Sequence, residues 1–243
     1  MASLTQWIES SRHLAVLTGA GISVPSGISP FRGPSGLYQN AKVEFCLSMH
    51  YFLTRPAEFW KFYWSLFDAD LLLHAQPNAV HRWLKNLERD REVTIITQNI
   101  DGLHHKAGSS AVIEVHGAFN RCICLDCGAE YDTDQVRKEK VPHCPAFNSE
   151  GRTCGTVLKP DIVLFGETVR GVQAAIKAVR RADRLLILGS SLGVAPINCV
   201  PDYAKQSGIP TLLINDRPAL QMEAIDRFAE ADFNSFNPDT LIL

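Results

Sequence analysis

The sequence predicts an α/β protein built on an open parallel sheet, with a smaller lobe inserted into it. Short apolar runs end at glycine or at polar residues, as buried parallel strands do. Helical patterns separate several of these runs, and that alternation means a sheet covered on both faces. Two segments, 41–90 and 118–157, break the rhythm.

The runs come in this order: His13–Leu17, Val93–Ile96, Val112–Val115, Ile162–Phe165, Leu185–Leu188 and Thr211–Ile214. Leu4, Trp7, Ile8 and Ser11 share one helical face ahead of the first run. Helical patterns also cover Val169 to Ala182 and Ile197 to Gln206. Residues 41–90 are aromatic-rich and helical in pattern, with Phe59, Trp60, Phe62, Tyr63, Trp64, Leu66 and Phe67 close together. Residues 118–157 hold paired cysteines and no long apolar strand. The predicted division is therefore 1–40, 91–117 and 158–243 for the sheet domain, and 41–90 with 118–157 for the small lobe.

Composition narrows the partners. The 243 residues carry 24 basic and 26 acidic side chains, a net charge of −2, which makes no electrostatic case for nucleic acid or a membrane surface. The charge run Arg137–Lys140 reads as a solvated face. The first residues show no signal-peptide pattern, and no apolar segment reaches the roughly 20 residues that span a bilayer. Seven cysteines, four with metal-ligand spacing, predict reduced thiols and a cytoplasmic setting.

The chemistry-bearing residues follow the strand runs, where an open parallel sheet binds ligands. Gly19-Ala20-Gly21 suits close approach to a pyrophosphate, although Val24 stands where the third glycine of G-x-G-x-x-G would be. The next loop carries Phe31 and Arg32, an aromatic lid and a phosphate partner. Gln98-Asn99-Ile100-Asp101 offers hydrogen-bonding groups that need partners such as a ribose or a carboxamide. His116 ends a run and is the candidate general base. Gly189-Ser190-Ser191 and Asn215-Asp216 suit phosphate and ribose. Cys124, Cys127, Cys144 and Cys154 predict a closed structural zinc site, with Cys122 as a competing ligand. Cys46 and Cys199 read as core residues, and His50, His74, His81, His104 and His105 are given no chemistry.

These residues together resemble the sirtuin family of NAD-dependent protein-lysine deacylases. The resemblance rests on Gly19–Ser23, Gly27-Ile28, Phe31-Arg32-Gly33, Gln98–Asp101, His116-Gly117, the four cysteines, Phe165-Gly166-Glu167 and Gly189–Ser191, in the family's order. It implies a Rossmann-type domain with a small lobe of helices and a zinc ribbon. It also implies NAD and an acyl-lysine peptide in the cleft between them. By the same resemblance His116 is the general base, and Asn99 and Asp101 hold the nicotinamide ribose and the carboxamide. Ala20, Gly21, Val24, Phe31, Arg32, Gln98 and Ile100 belong to the cofactor site. Gly189, Ser190, Ser191, Asn215, Asp216 and Phe233 lie on its adenosine side. Val163, Leu164, Phe165, Gly166 and Val194 wall the peptide channel, where substrate adds as a strand. The implied products are nicotinamide, free lysine and an O-acyl-ADP-ribose.

Two departures stand out. Many members have Pro-Asp before the Phe-Arg pair, and this chain has Ser29-Pro30. Members that prefer acidic acyl groups carry a tyrosine and, three residues later, an arginine. Tyr63 is followed at that spacing by Leu66, which predicts an acyl pocket for uncharged chains. Alternative readings are a mono-ADP-ribosyltransferase on the same fold and a non-catalytic NAD or ADP-ribose sensor. A hydride-transferring dehydrogenase is disfavoured by the broken third glycine. The expected partners are acylated protein lysines.

Overall fold

A computed structural model describes residues 3–30, 41–147 and 151–243. Among them the strands in chain order are β1 (His13–Thr18), β2 (Glu92–Thr97), β3 (Val112–Glu114), β4 (Gly117–Ile123), β5 (Glu130–Asp132), β6 (Lys159–Ile162), β7 (Arg184–Leu188), β8 (Thr211–Asn215) and β9 (Arg227–Glu230). Six of them form one parallel sheet in the order β3-β2-β1-β7-β8-β9. This is the doubly wound order that reverses direction beside the first strand. Here the reversal lies between β1 and β7, where Thr18 pairs with Leu188.

The apolar runs are continuous because both faces of the sheet are covered. Leu14, Val16, Ile95, Leu186 and Ile214 pack on one side against Leu4, Trp7 and Ile8 of the helix Leu4–Glu9. Ala15, Leu17, Ile187 and Leu213 pack on the other against Ala175 and Val179 of the helix Val172–Arg181. Each large side chain buried this way contributes about 1.5–3 kcal/mol. Ser3 starts the first helix with a capping box to Gln6, which satisfies backbone N–H groups at its N-terminus.

The aromatic insert and the cysteine segment share a second core. Phe59, Trp60, Tyr63 and Phe67 pack with Phe119, Cys124, Cys144 and Leu158. The Tyr63 and Phe119 rings stack at 5.7 Å. Trp60 Nε1 donates to the Leu158 carbonyl at 3.0 Å, tying the helix Pro56–Leu66 to the chain entering β6. The antiparallel β5-β4-β6 sheet completes this lobe.

Three expectations are corrected. Ile162–Phe165 is not a parallel strand of the main sheet. Ile162 ends β6, antiparallel to β4, and Val163 N–H donates to the His116 carbonyl at 2.9 Å. The sixth parallel strand is β9, an edge strand with one buried residue, Ala229. The boundary at residue 90 is also displaced. Val80 and Leu84 of the helix Ala79–Leu87 pack beneath the main sheet, so this helix belongs with the sheet domain.

Candidate active site

The turns after β1 and β7 interlock at the point where strand order reverses. Gly19 N–H donates to the Leu188 carbonyl at 3.0 Å, and Gly21 N–H to the Gly189 carbonyl at 2.9 Å. A Cβ on Gly189, whose φ is +61°, would lie 2.5 Å from the Ile22 nitrogen. A Cβ on Gly21 would lie 2.8 Å from the Gly189 Cα. Only glycine permits this contact of two backbones. The segment after the first turn is a 3-10 helix, Ala20–Ser26, so Val24 sits exposed on a short helix and needs no close approach to a strand.

The loop after β2 faces this turn. Asn99 Nδ2 donates to the Gly19 carbonyl at 3.1 Å and to Ser23 Oγ at 3.2 Å. Ser23 Oγ in turn donates to Asp101 Oδ2 at 2.6 Å, and Leu103 N–H donates to Asp101 Oδ1 at 2.9 Å. Burial pushes the Asp101 carboxyl above the usual carboxylate range, while the Ser23 and Leu103 hydrogen bonds pull it back. Asn99 Oδ1 is buried and has no protein partner among the described residues. An unpaired buried amide oxygen costs about 1–3 kcal/mol, so it marks a place for a ligand donor.

His116 follows β3 and lies beside this loop. Its Nδ1 is 3.0 Å from the Gln98 carbonyl. A carbonyl only accepts, so Nδ1 carries the proton and Nε2 keeps its lone pair. Burial lowers the His116 pKa and the Gln98 contact raises it in part, leaving it below the ordinary histidine value. Gln98 Nε2 also donates to Ser190 Oγ at 2.9 Å, which links the base to the turn after β7. Gly117, at φ +78°, allows the chain to leave the sheet, because a Cβ there would meet the Asp161 carbonyl oxygen at 1.9 Å.

The four predicted cysteines also converge. Their sulfurs all lie within 4.8 Å of one another. Cys124 and Cys154 are 3.7 Å apart, and Cys127 and Cys144 are 3.6 Å apart. A tetrahedron with Zn–S bonds of about 2.3 Å has edges of about 3.8 Å, so these two pairs already stand near the separation that zinc requires and the donor set suits it. Tyr131 OH lies 3.3 Å from Cys144 Sγ and Cys127 N–H donates to Cys124 Sγ at 3.5 Å, outer contacts of the kind that orient thiolates. Cys122 stands outside the cluster. Burial pushes its thiol up to about 11, and it contacts Thr133 Oγ1 at 3.6 Å.

The sequence profile of the Sir2 family matches residues 19–196, which span this whole arrangement. The chain belongs to the Sir2 family. It is 43% identical over 217 residues to an NAD-dependent protein deacetylase of Chromobacterium violaceum, covering 88% of this chain and 86% of that one. It is 40% identical over 221 residues to the NAD-dependent protein deacetylase of Bacillus subtilis, covering 90% of each. A solved Sir2 structure with a p53 peptide and NAD+ superposes with a TM-score of 0.79 at 34% identity, over 94% of this chain and 91% of that one. A Sir2 bound to acetylated peptide gives 0.81 at 30% identity, over 97% and 95%.

In this sirtuin the remaining predicted residues divide. Ala20 and Ile100 lie on the segments just described, and Ile100 is buried, with its carbonyl accepting from Phe119 N–H at 2.7 Å. Ser190 is buried and Ser191 exposed. Asn215 is buried at the end of β8, its amide donating to the Arg217 carbonyl at 3.0 Å. Asp216 is exposed and paired with Arg217 at 2.7 Å. Phe233 packs into the core beneath the sheet, 5.6 Å from Phe236. Phe31 and Arg32 lie outside the described residues.

The channel segment alternates. Leu164 is in the lobe core, while Val163 is half-buried and Phe165 exposed. Leu164 thus faces away from Val163 and Phe165, because the extended chain alternates faces. Phe165 N–H donates to the Leu47 carbonyl at 3.0 Å, and its own carbonyl accepts from Met49 N–H at 2.9 Å. Gly166 turns the chain at φ +91°, and Val194 is half-buried across the turn after β7. Tyr63 is fully buried and Leu66 partly buried against the same core.

Sequence reasoning passed over Ser23 as a site residue, although it bonds both Asn99 and Asp101. It also passed over Lys159 and Glu167. Lys159 Nζ donates to the Ile162 carbonyl at 2.7 Å and meets Glu167 at 2.9 Å, while Glu167 accepts from Leu164 N–H at 2.8 Å. A hydroxyl inside a glycine motif and a lysine beside a proline give no signal of burial in the sequence.

Proposed function

We propose that this chain removes acyl groups from protein lysines at the expense of NAD, acetyl first, with His116 as general base and Asn99 and Asp101 as its catalytic partners. The observation that carries this is the meeting of the three at the β1/β7 reversal, where Asn99 Oδ1 is buried without a partner. NAD, when bound, supplies a glycosidic carbon that the acyl oxygen captures as nicotinamide departs. Nε2 of His116 takes a proton from a ribose hydroxyl. Asn99 Oδ1 accepts from the nicotinamide ribose, and Asp101, held by Ser23, receives the carboxamide. Ala20, Gly21, Val24, Phe31 and Arg32 cover the diphosphate. Gly189, Ser190, Ser191, Asn215, Asp216 and Phe233 form the adenosine side. Val163, Phe165, Gly166 and Val194 flank an incoming peptide strand, and Tyr63 and Leu66 form the acyl pocket.

Partner and place belong to the same reading. The substrate is an acyl-lysine in an extended protein segment, and its backbone supplies most of the recognition. Free thiols arranged for zinc and the bacterial origin of the relatives support a cytoplasmic setting. No helix among the described residues is long and apolar enough to cross a membrane.

The test is incubation with NAD and an acetyl-lysine peptide, followed by mass analysis. Free nicotinamide with a deacetylated peptide is the expected result. Nicotinamide with a mass gain on protein would instead mean ADP-ribosyl transfer. Absence of nicotinamide would leave a sensor.

A further inference from the structure

Behind the cofactor turn lies a buried polar group with no part in the chemistry above. Thr18 and His81 are 0% exposed, and His104 is 2% exposed. His104 Nε2 lies 3.0 Å from Thr18 Oγ1, at the end of β1 next to Gly19. Asn78 Nδ2 donates to the Ile22 carbonyl at 2.7 Å and to Ser26 Oγ at 3.0 Å, both on the Ala20–Ser26 helix. Asn78 N–H donates to His81 Nδ1 at 3.4 Å, closing the capping box of the helix Ala79–Leu87. The two imidazole centroids are 4.9 Å apart. His81 Nε2 and His104 Nδ1 are each buried without a hydrogen-bond partner among the described residues.

The proton positions follow from these contacts. A backbone N–H only donates, so His81 Nδ1 bears the lone pair and the proton sits on Nε2. Burial and the adjacent Arg82 push His81 down to about 4. Burial, His81 and His105 hold His104 well below its ordinary value. Both rings are therefore neutral. A proton on His104 Nε2 donates to Thr18 and leaves Nδ1 as an acceptor. The two unpartnered atoms are then one donor and one acceptor on adjacent rings. The other tautomer would leave two buried, unpartnered donors on adjacent rings, which the low dielectric penalises.

We propose that Asn78, His81, His104 and Thr18 form an uncharged relay, closed through one buried water, that positions the Ala20–Ser26 helix against the Asn99–Asp101 loop. His104 belongs to the helix Leu103–Lys106, whose first N–H binds Asp101, so the relay joins both walls of the crevice. The four are positioning residues, acting through Ile22, Ser26 and Gly19. The proposal rests on the reading of that crevice as the NAD site.

Two measurements on the full chain test it. Imidazole nitrogen NMR at pH 7 should show His81 and His104 neutral, each protonated at Nε2. ADP-ribose affinity by calorimetry should fall about tenfold in His81→Phe and in His104→Phe, the loss of one buried hydrogen bond. His104→Gln, which retains a donor toward Thr18, should bind within about threefold of wild type, and the acyl-peptide KM should not move in any variant. A charged ring or an Nδ1 proton on either histidine would overturn the relay. So would wild-type ADP-ribose affinity in both phenylalanine variants, or an equal rise in peptide KM. If wild type itself does not bind ADP-ribose, the cofactor reading fails, and the NMR result still decides the relay. Should the phenylalanine variants not fold, the proton positions and the glutamine variant decide it.

Discussion

Neutralising Glu167 should weaken peptide binding and leave cofactor binding alone. Lys159 is fully buried, and its ammonium is held by the Ile162 carbonyl at 2.7 Å, the Pro160 carbonyl at 3.1 Å and the Glu167 carboxylate at 2.9 Å. The same carboxylate holds Leu164 N–H at 2.8 Å, between Val163 and Phe165. Glu167→Gln strands the buried cation with uncharged partners. Breaking a buried pair costs about 3–5 kcal/mol. The Glu167 side chain is 22% exposed, so water offsets part of this and about 1–3 kcal/mol is the expected loss. For a chain of this size that is a fall in Tm of roughly 2–12 °C. The acyl-peptide KM should rise about tenfold with kcat at saturation nearly unchanged, the mark of lost uniform binding. The NAD KM should stay put, because the clamp touches neither glycine turn.

The pH dependence of this variant has a definite sign. Burial already lowers the Lys159 pKa, with Glu167 opposing. Removing Glu167 lowers it further, so the unfolded chain binds the extra proton in the window below the ordinary lysine value. Stability of the variant must therefore rise with pH there, and its deficit against wild type should shrink between two pH values taken inside that window. Thermal scans at the two pH values and steady-state kinetics in each substrate measure all of this. Wild-type Tm together with wild-type peptide KM would refute the clamp.

His116→Ala should lower kcat/KM by about 10²–10⁴ with the fold intact by circular dichroism, and activity within twofold of wild type would remove it from the mechanism. Because burial holds His116 below its ordinary value, the acid limb of the wild-type kcat/KM profile should fall below pH 6.5. One zinc per chain should be found by metal analysis, and chelation or Cys154→Ser should unfold the small lobe; metal-free protein with full stability would contradict this. Wild type should prefer acetyl-lysine over succinyl-lysine by kcat/KM, since Leu66 itself offers a carboxylate no cation. Leu66→Arg should shift the ratio toward succinyl by about tenfold, or roughly 1.4 kcal/mol; a wild-type preference for succinyl would show the pocket is misread.

Much of this was legible because strand ends collect chemistry. The glycine turn, Gln98–Asp101 and His116 each follow an apolar run visible in the sequence, and the cysteines are legible by their spacing. The misassigned strand shows the limit of that signal. Ile162–Phe165 is as apolar as a parallel strand, yet what directs it to the ribbon is Lys159 and Asp161, polar side chains buried within β6. Charge in a sequence reads as exposure, so a buried lysine is invisible until its partners are known. The opposite failure hid β9: Arg227-Phe228-Ala229-Glu230 looks like a surface turn, because an edge strand buries little. His81 and His104 escaped for a third reason. Their role depends on which nitrogen faces which neighbour, and that is set by a helix cap and a threonine far apart in the chain.

Gln98 shows why the site must be a single unit. Its carbonyl fixes the His116 proton on Nδ1, and its side chain holds Ser190 in the turn after β7. Ser190 Oγ accepts in addition from Leu192 N–H at 3.2 Å, which shapes that turn. Gly189 in the same turn lies against Gly21 and Ile22, too close for any Cβ. His116, the turn after β7 and the Ala20–Ser26 helix are thus joined by hydrogen bonds through Gln98 and by backbone contacts at the glycines. A shift in one turn must be carried by the others, since neither glycine pair can separate without losing the Gly21 hydrogen bond to Gly189. The Nε2 of His116 is therefore aimed by the same contacts that shape the turns after β1 and β7. Positioning a base to within a fraction of an ångström requires such support from rigid elements. The reversal in strand order supplies it, because only there do the carboxyl ends of two adjacent strands open away from each other and leave their turns free to meet.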